Sequence, residues 1–134
     1  MEITVSFPGN LRVDAQVGPY TVRTDQPVAA GGDGSAPTPF ALFLASLATC
    51  TGIYVLGFLR QRGVDAGAAG LRMTTEEDHE RGLVSKVVFE VQVPPDFPGK
   101  YEPAIVRAVQ QCAVKRHLDA PPAFETRVSR ALPG

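Results

Sequence analysis

Apolar and polar residues alternate over three short stretches at the start of the chain, Glu2–Phe7, Leu11–Val17 and Tyr20–Thr24. Pro8-Gly9-Asn10 and Gly18-Pro19 separate them, which predicts an opening meander of three strands. Asp25–Pro37 (DQPVAAGGDGSAP) follows as a loop rich in Gly, Ala and Pro, and structureless loops of this length in a compact domain are often functional. The period then changes to that of a helix. Thr38 is placed as an N-cap and Pro39 as a first-turn proline, so a long helix is expected from here to about Arg62, stopped at Gly63. Leu71–Glu77 and Val84–Val93 alternate again and predict a hairpin around His79–Gly82. Pro94-Pro95-Asp96-Phe97-Pro98-Gly99 breaks the sheet. Tyr101–Gln111 reads as a second helix with Ile105, Val106 and Val109 on one side, ending near Cys112, and after Asp119-Ala120-Pro121-Pro122 a last strand is expected over Phe124–Arg130. The resulting order, βββ-α-ββ-α-β, is α+β rather than doubly wound.

The twenty residues Phe40–Leu59 (FALFLASLATCTGIYVLGFL) carry no charge, the length of a membrane span. Ser46, Thr49, Thr51, Gly52, Tyr54 and Gly57 interrupt the segment, and a span would put the two strand regions on opposite sides of a bilayer. The preferred reading is a helix buried on nearly all sides, most easily achieved by packing against a second subunit. Projected at about 100° per residue, Ala41, Ala45, Ala48 and Gly52 fall in one arc, and Phe43, Leu47, Cys50 and Tyr54 in another. The small-residue arc allows close approach of another helix.

Composition narrows the function classes. At 134 residues one domain, 1–134, is expected. The net charge of −1 and the lack of a basic run argue against electrostatic nucleic-acid binding. The apolar share of 44% and charged share of 20% are those of a globular chain able to bury a core without disulfides. The start Met1-Glu2-Ile3-Thr4-Val5 has neither the basic residues nor the apolar run of a signal peptide, which predicts a cytoplasmic, reducing setting.

Cys50 and Cys112 are too few for a disulfide scaffold, and their separation matches no zinc spacing, so no metal is expected. Cys50, mid-helix among bulky apolar groups, reads either as a small buried hydrophobe or as a redox thiol in an apolar pocket. The second reading needs another thiol and something to stabilise a thiolate. Cys112 is followed by Ala113-Val114-Lys115-Arg116-His117, and nearby cations lower a thiol's pKa. The same cations in the last turn of a helix would also complement its dipole with no chemistry involved. Cys112 and His117 could form a proton-transfer pair, although a spacing of five puts them on different helical faces. His79, among Glu76, Glu77, Asp78 and Glu80, reads as a solvated turn residue.

The meander, the Gly-rich loop, Thr38-Pro39, a cysteine eleven residues after that proline in PFALFLASLATC and a second cysteine opening CAVKRHL together resemble the OsmC/Ohr family of hydroperoxide reductases. Asp25-Gln26-Pro27, Gly31-Gly32-Asp33 and Cys50-Thr51-Gly52-Ile53 are most similar to its general OsmC-like branch. The resemblance implies an intertwined homodimer with the long helix buried at its centre and sites at the subunit interface. It further implies Cys50 as peroxidatic thiolate, Cys112 as resolving thiol, an organic hydroperoxide as substrate and an external dithiol as reductant, with no metal or organic cofactor. An arginine from the N-terminal strands, here Arg12 or else Arg23, would polarise the peroxide. The glutamate that accompanies it in the peroxidase branches is missing: Phe40 and Ala41 occupy those positions, and Tyr54 stands where the OsmC-like branch often has an acid. The alternative function is a non-catalytic dimer whose interface pocket, lined by Phe40, Phe43 and Tyr54, binds an apolar small molecule.

Overall fold

The computed structural model describes residues 1–130. The chain forms two compact units, Met1–Thr49 and a second beginning at Cys50. The first contains β1 (Ile3–Gly9), β2 (Arg12–Val17) and β3 (Tyr20–Thr24), an antiparallel sheet in the order β1-β2-β3. Its register pairs Val5 with Ala15 and Asp14 with Arg23. On β1 the alternate residues Ile3, Val5 and Phe7 are 52%, 53% and 80% exposed, so this strand has little apolar cover from its own chain.

The loop after β3 is far from structureless. Asp25 is fully buried and organises it by accepting hydrogen bonds from the Gln26 amide (2.7 Å), the Ser35 amide (3.0 Å) and the Ser35 hydroxyl (2.5 Å). The Ser35 hydroxyl and amide contribute most to holding this carboxyl at a pKa of about 2, below its ordinary 3.8, with the Gln26 and Asp33 amides adding to the effect and burial opposing it. A single 3-10 turn, Val28–Ala30, lies inside the loop. Gly32 passes so close to Gln26 that a Cβ there would stand 2.0 Å from its carbonyl oxygen. Only glycine permits that approach.

Helix α1 (Pro39–Gln61) starts where Thr38 and Pro39 predict, with the Thr38 hydroxyl accepting from the Ala41 amide at 3.2 Å. It stops before Gly63, whose φ of +65° no helix continues. Leu47, Thr51, Val55, Phe58 and Leu59 form its buried stripe, which runs from the second arc of the projection, where Leu47 lies, across to the first. The expectation of burial on nearly all sides is not met within one chain: 28% of the most apolar stretch is buried, and Phe40, Phe43 and Ile53 are exposed. By length and composition alone α1 could cross a membrane.

In the second unit, β4 (Gly70–Asp78) and β5 (Leu83–Gln92) form the expected hairpin. Leu71, Met73 and Thr75 pair with Val91, Phe89 and Val87 on the half-buried face, while Arg72 and Glu90 pair on the other at 3.3 Å. A two-stranded hairpin is marginal by itself and needs a packed face. The apolar cluster Val55, Phe58, Leu59, Phe97, Ile105 and Val109 supplies it, with Val91 and Tyr54 packed against its edge.

Two expectations need correction here. The second helix is two: α2 (Glu102–Val109) and α3 (Ala113–Asp119), broken at Gln110–Cys112. Ile105 and Val109 are buried as expected, whereas Val106 is 52% exposed. The final strand does not form: residues 124–130 join no ladder among the described residues, and Phe124 and Val128 are 90% and 93% exposed. Alternation makes a segment competent for a strand, but a strand needs an edge to pair with. The α+β class stands; the element order is βββ-α-ββ-α-α.

Candidate functional site: the Cys50–Cys112 pair

Cys50 lies at the middle of α1, half-buried, and Cys112 is fully buried. Both are free thiols, and Cys112 is near enough for its side chain to favour the Cys50 thiolate. The helix break creates this contact. Cys112 is the residue before α3, with extended backbone (φ −50°, ψ 126°), so the first amides of α3 are left without helical acceptors. The amides of Val114 and Ala113 face the Cys50 sulfur instead and favour its anion.

These neighbours push the Cys50 thiol below its ordinary pKa, the Cys112 side chain most, then the Val114 amide, with the Ala113 amide and the Lys115 charge adding to the effect and burial opposing it. Lys115 is itself held: its Nζ donates to the Val109 carbonyl at 3.3 Å and sits 4.1 Å from the centre of the Phe89 ring. The cations after Cys112 therefore belong to a third helix, and Lys115 acts on Cys50. His117 places Nδ1 2.7 Å from the Ala113 carbonyl oxygen, to which Nδ1–H donates, a turn of its own helix rather than a pair with Cys112. His79 is exposed in the β4–β5 turn, as expected. Thr51, beside Cys50, is buried with a hydroxyl oxygen that has no hydrogen-bond partner among the described residues. No pattern in the sequence marks it.

The other expected site residues divide between the units. Phe40 and Phe43 stack on one another in the first, 5.7 Å between ring centres, and both are exposed. Tyr54 packs against the apolar cluster of the second. Arg12 lies in the first unit, its Nε donating to the Gly9 carbonyl at 3.3 Å, and lines a cavity with Arg23. A cavity of about 210 Å³, formed by Gly52, Val55, Leu56, Leu59, Ala69 and Leu71 among others, is apolar and begins two residues along α1 from Cys50. Sequence reasoning did not find it, because Ala69 and Leu71 are brought to the helix only by tertiary packing. No cluster of three or more His, Cys, Asp or Glu that could hold a metal occurs among the described residues.

A meander, a long thiol-bearing helix, a hairpin and a second thiol at a helix start define an α+β protein with a paired-cysteine centre. Residues 32–127 match the family described as OsmC-like protein, and the chain belongs to that family. Solved structures share the fold. One, from Psychrobacter arcticus, is described as an osmotic stress induced and detoxification response protein; it is 23% identical, with a TM-score of 0.70 and 85% of each chain covered. An OsmC like protein from Mycoplasma pneumoniae is 13% identical, with a TM-score of 0.67, covering 90% of this chain and 87% of that one. An organic hydroperoxide resistance protein OsmC from Legionella pneumophila is 15% identical, with a TM-score of 0.59 and 87% of each covered. No curated protein matches the chain.

Proposed function

We propose that this protein reduces organic hydroperoxides through its two thiols. The observation that carries the reading is that the fold brings Cys112 beside Cys50, with Cys50 the thiol whose anion is favoured. The Cys50 thiolate attacks the peroxide's terminal oxygen, the O–O bond breaks, and the alkoxide leaves as alcohol after taking a proton. Cys50 is then a sulfenic acid. Cys112 sulfur attacks the Cys50 sulfur, water leaves, and a disulfide forms; an external dithiol returns both thiols and is itself oxidised to a disulfide. The alkyl group is assigned to the apolar cavity beside Gly52, where about 25 cal/mol is gained per Å² desolvated. Arg12 keeps the peroxide-orienting role the family resemblance implies, to be tested by the rate of Arg12→Gln. A homodimer is part of the same reading, supported by the exposed apolar residues of β1 and α1, and so is the cytoplasmic setting that the family resemblance implies.

The absence of a carboxylate at Phe40 and Ala41, together with the apolar cavity, favours a second reading in which the site binds an apolar molecule without turnover. Intact mass and dimedone trapping separate the two. With one equivalent of cumene hydroperoxide, wild type should lose two hydrogens, Cys112→Ser should stop at a trappable sulfenic acid on Cys50, and Cys50→Ser should be inert. Survival of both thiols in excess hydroperoxide would leave the binding reading.

A further inference from the structure

A second cavity, in the first unit, has a chemistry unlike that of the thiols. Residues two apart on a strand share a face, as do residues directly opposite across a ladder. Arg12 and Asp14 on β2, and Arg23 opposite Asp14 on β3, therefore stand together. They line a cavity of about 400 Å³ with Ser35, and Pro8 and Ala36 give it an apolar rim. Among the described residues neither guanidinium is in an ion pair; the pairs formed are Arg72–Glu90 and Arg127–Glu125. Among the described residues Arg12 uses one donor on Gly9 and Arg23 uses none. Asp25, the acid that follows β3, is already occupied by Gln26 and Ser35.

We infer that this cavity binds the carboxylate of a small organic acid. A guanidinium presents a planar fork that matches a carboxylate oxygen pair, and two forks on one face can hold it from both sides. Two guanidiniums and one carboxylate leave the lining with a net charge of +1 (2 − 1), which suits a monoanion, while Asp14 between them repels a doubly charged anion. The volume lies in the range of small-ligand sites, with room for a short chain against Pro8 and Ala36. Because both arginines are exposed, solvent screens the attraction and binding is in the millimolar range. The site uses neither cysteine and shares Arg12 with the proposed peroxide reaction, so Arg23 and Asp14 are the residues that test it separately.

The test is an amide NMR titration of the whole protein at constant ionic strength with butyrate, with butyramide as its neutral counterpart and sulfate as a dianion. Butyrate should give saturable shifts at residues 12, 14, 23 and 36, with butyramide and sulfate about tenfold weaker. Arg23→Gln should weaken butyrate about fivefold or more, Arg23→Lys less, since it keeps the charge and loses the fork, and Asp14→Asn should tighten it. Preserved strand amide shifts in these variants show that the meander is intact. Equal binding of butyramide, shifts that do not saturate, or an affinity unchanged in both Arg23 variants would overturn the inference.

Discussion

The two units are held together by different physics. In Met1–Thr49 the buried side chains of the meander and loop are Thr24 and Asp25, and order comes from ladder hydrogen bonds and a carboxylate wrapped in amides. In the second unit six apolar side chains from α1, the Phe97 turn and α2 form a core. A core of that kind loses stability when volume is removed from it, while a polar knot fails when geometry or charge is changed. The exposed Ile3, Val5 and Phe7 follow from the same contrast, because a sheet with no buried apolar face needs its cover from outside.

Removing the Phe58 ring should break the second unit most severely. It packs in the core, meets Tyr101 edge-on at 6.1 Å and lies under the Arg62 guanidinium at 3.6 Å. Phe58→Ala should cost about 3–5 kcal/mol in urea unfolding, with amide protection lost at Ile105 and Val109. The converse variant is Gly32→Ala, where the new Cβ meets the Gln26 carbonyl and the loop must move, at about 1–3 kcal/mol. Hydrogen exchange should rise around Gln26 and Ser35 while Ile105 and Val109 keep their protection. Loss of protection in both units together would show that the contrast does not extend to their stability.

Charge tests the polar knot more gently. Asp25 has a folded pKa of about 2 against 3.8 in the unfolded chain, so its contribution is fully present above about pH 3.8 and is lost as pH falls toward 2. Asp25→Asn should flatten the fall of the urea midpoint across that window; an unchanged slope would assign acid sensitivity elsewhere. The smallest effect belongs to Arg72–Glu90, whose side chains are 63% and 54% exposed. Arg72→Ala should change stability by no more than about 0.5 kcal/mol, measured as a shift in urea midpoint.

Where pattern and local chemistry decide, the sequence was a good guide. The three strands, the start of α1 at Thr38-Pro39 and the β4–β5 hairpin follow from alternation, an N-cap and turn residues within a few positions of one another. What escaped depends on distant partners. No Gly or Pro marks the break at Gln110–Cys112, where buried Cys112 meets Cys50 sixty-two positions earlier, 112 − 50. Phe124–Arg130 has strand alternation and no ladder partner among the described residues. Asp25 and Ser35 lie ten apart with no period that would pair them. Of the site, the two cysteines were legible through family resemblance, whereas the amides of Ala113 and Val114, the Thr51 hydroxyl and the apolar cavity required the fold.

The two amides aimed at Cys50 also turn the backbone into a spectroscopic probe of that sulfur. An N–H that donates to a thiolate is polarised more strongly than one that donates to a neutral thiol, a sulfenic acid or a disulfide. The Ala113 and Val114 resonances should therefore move with the protonation and oxidation state of a side chain sixty-three and sixty-four residues away in sequence, 113 − 50 and 114 − 50, allowing the thiol's titration curve to be read without any reagent touching it.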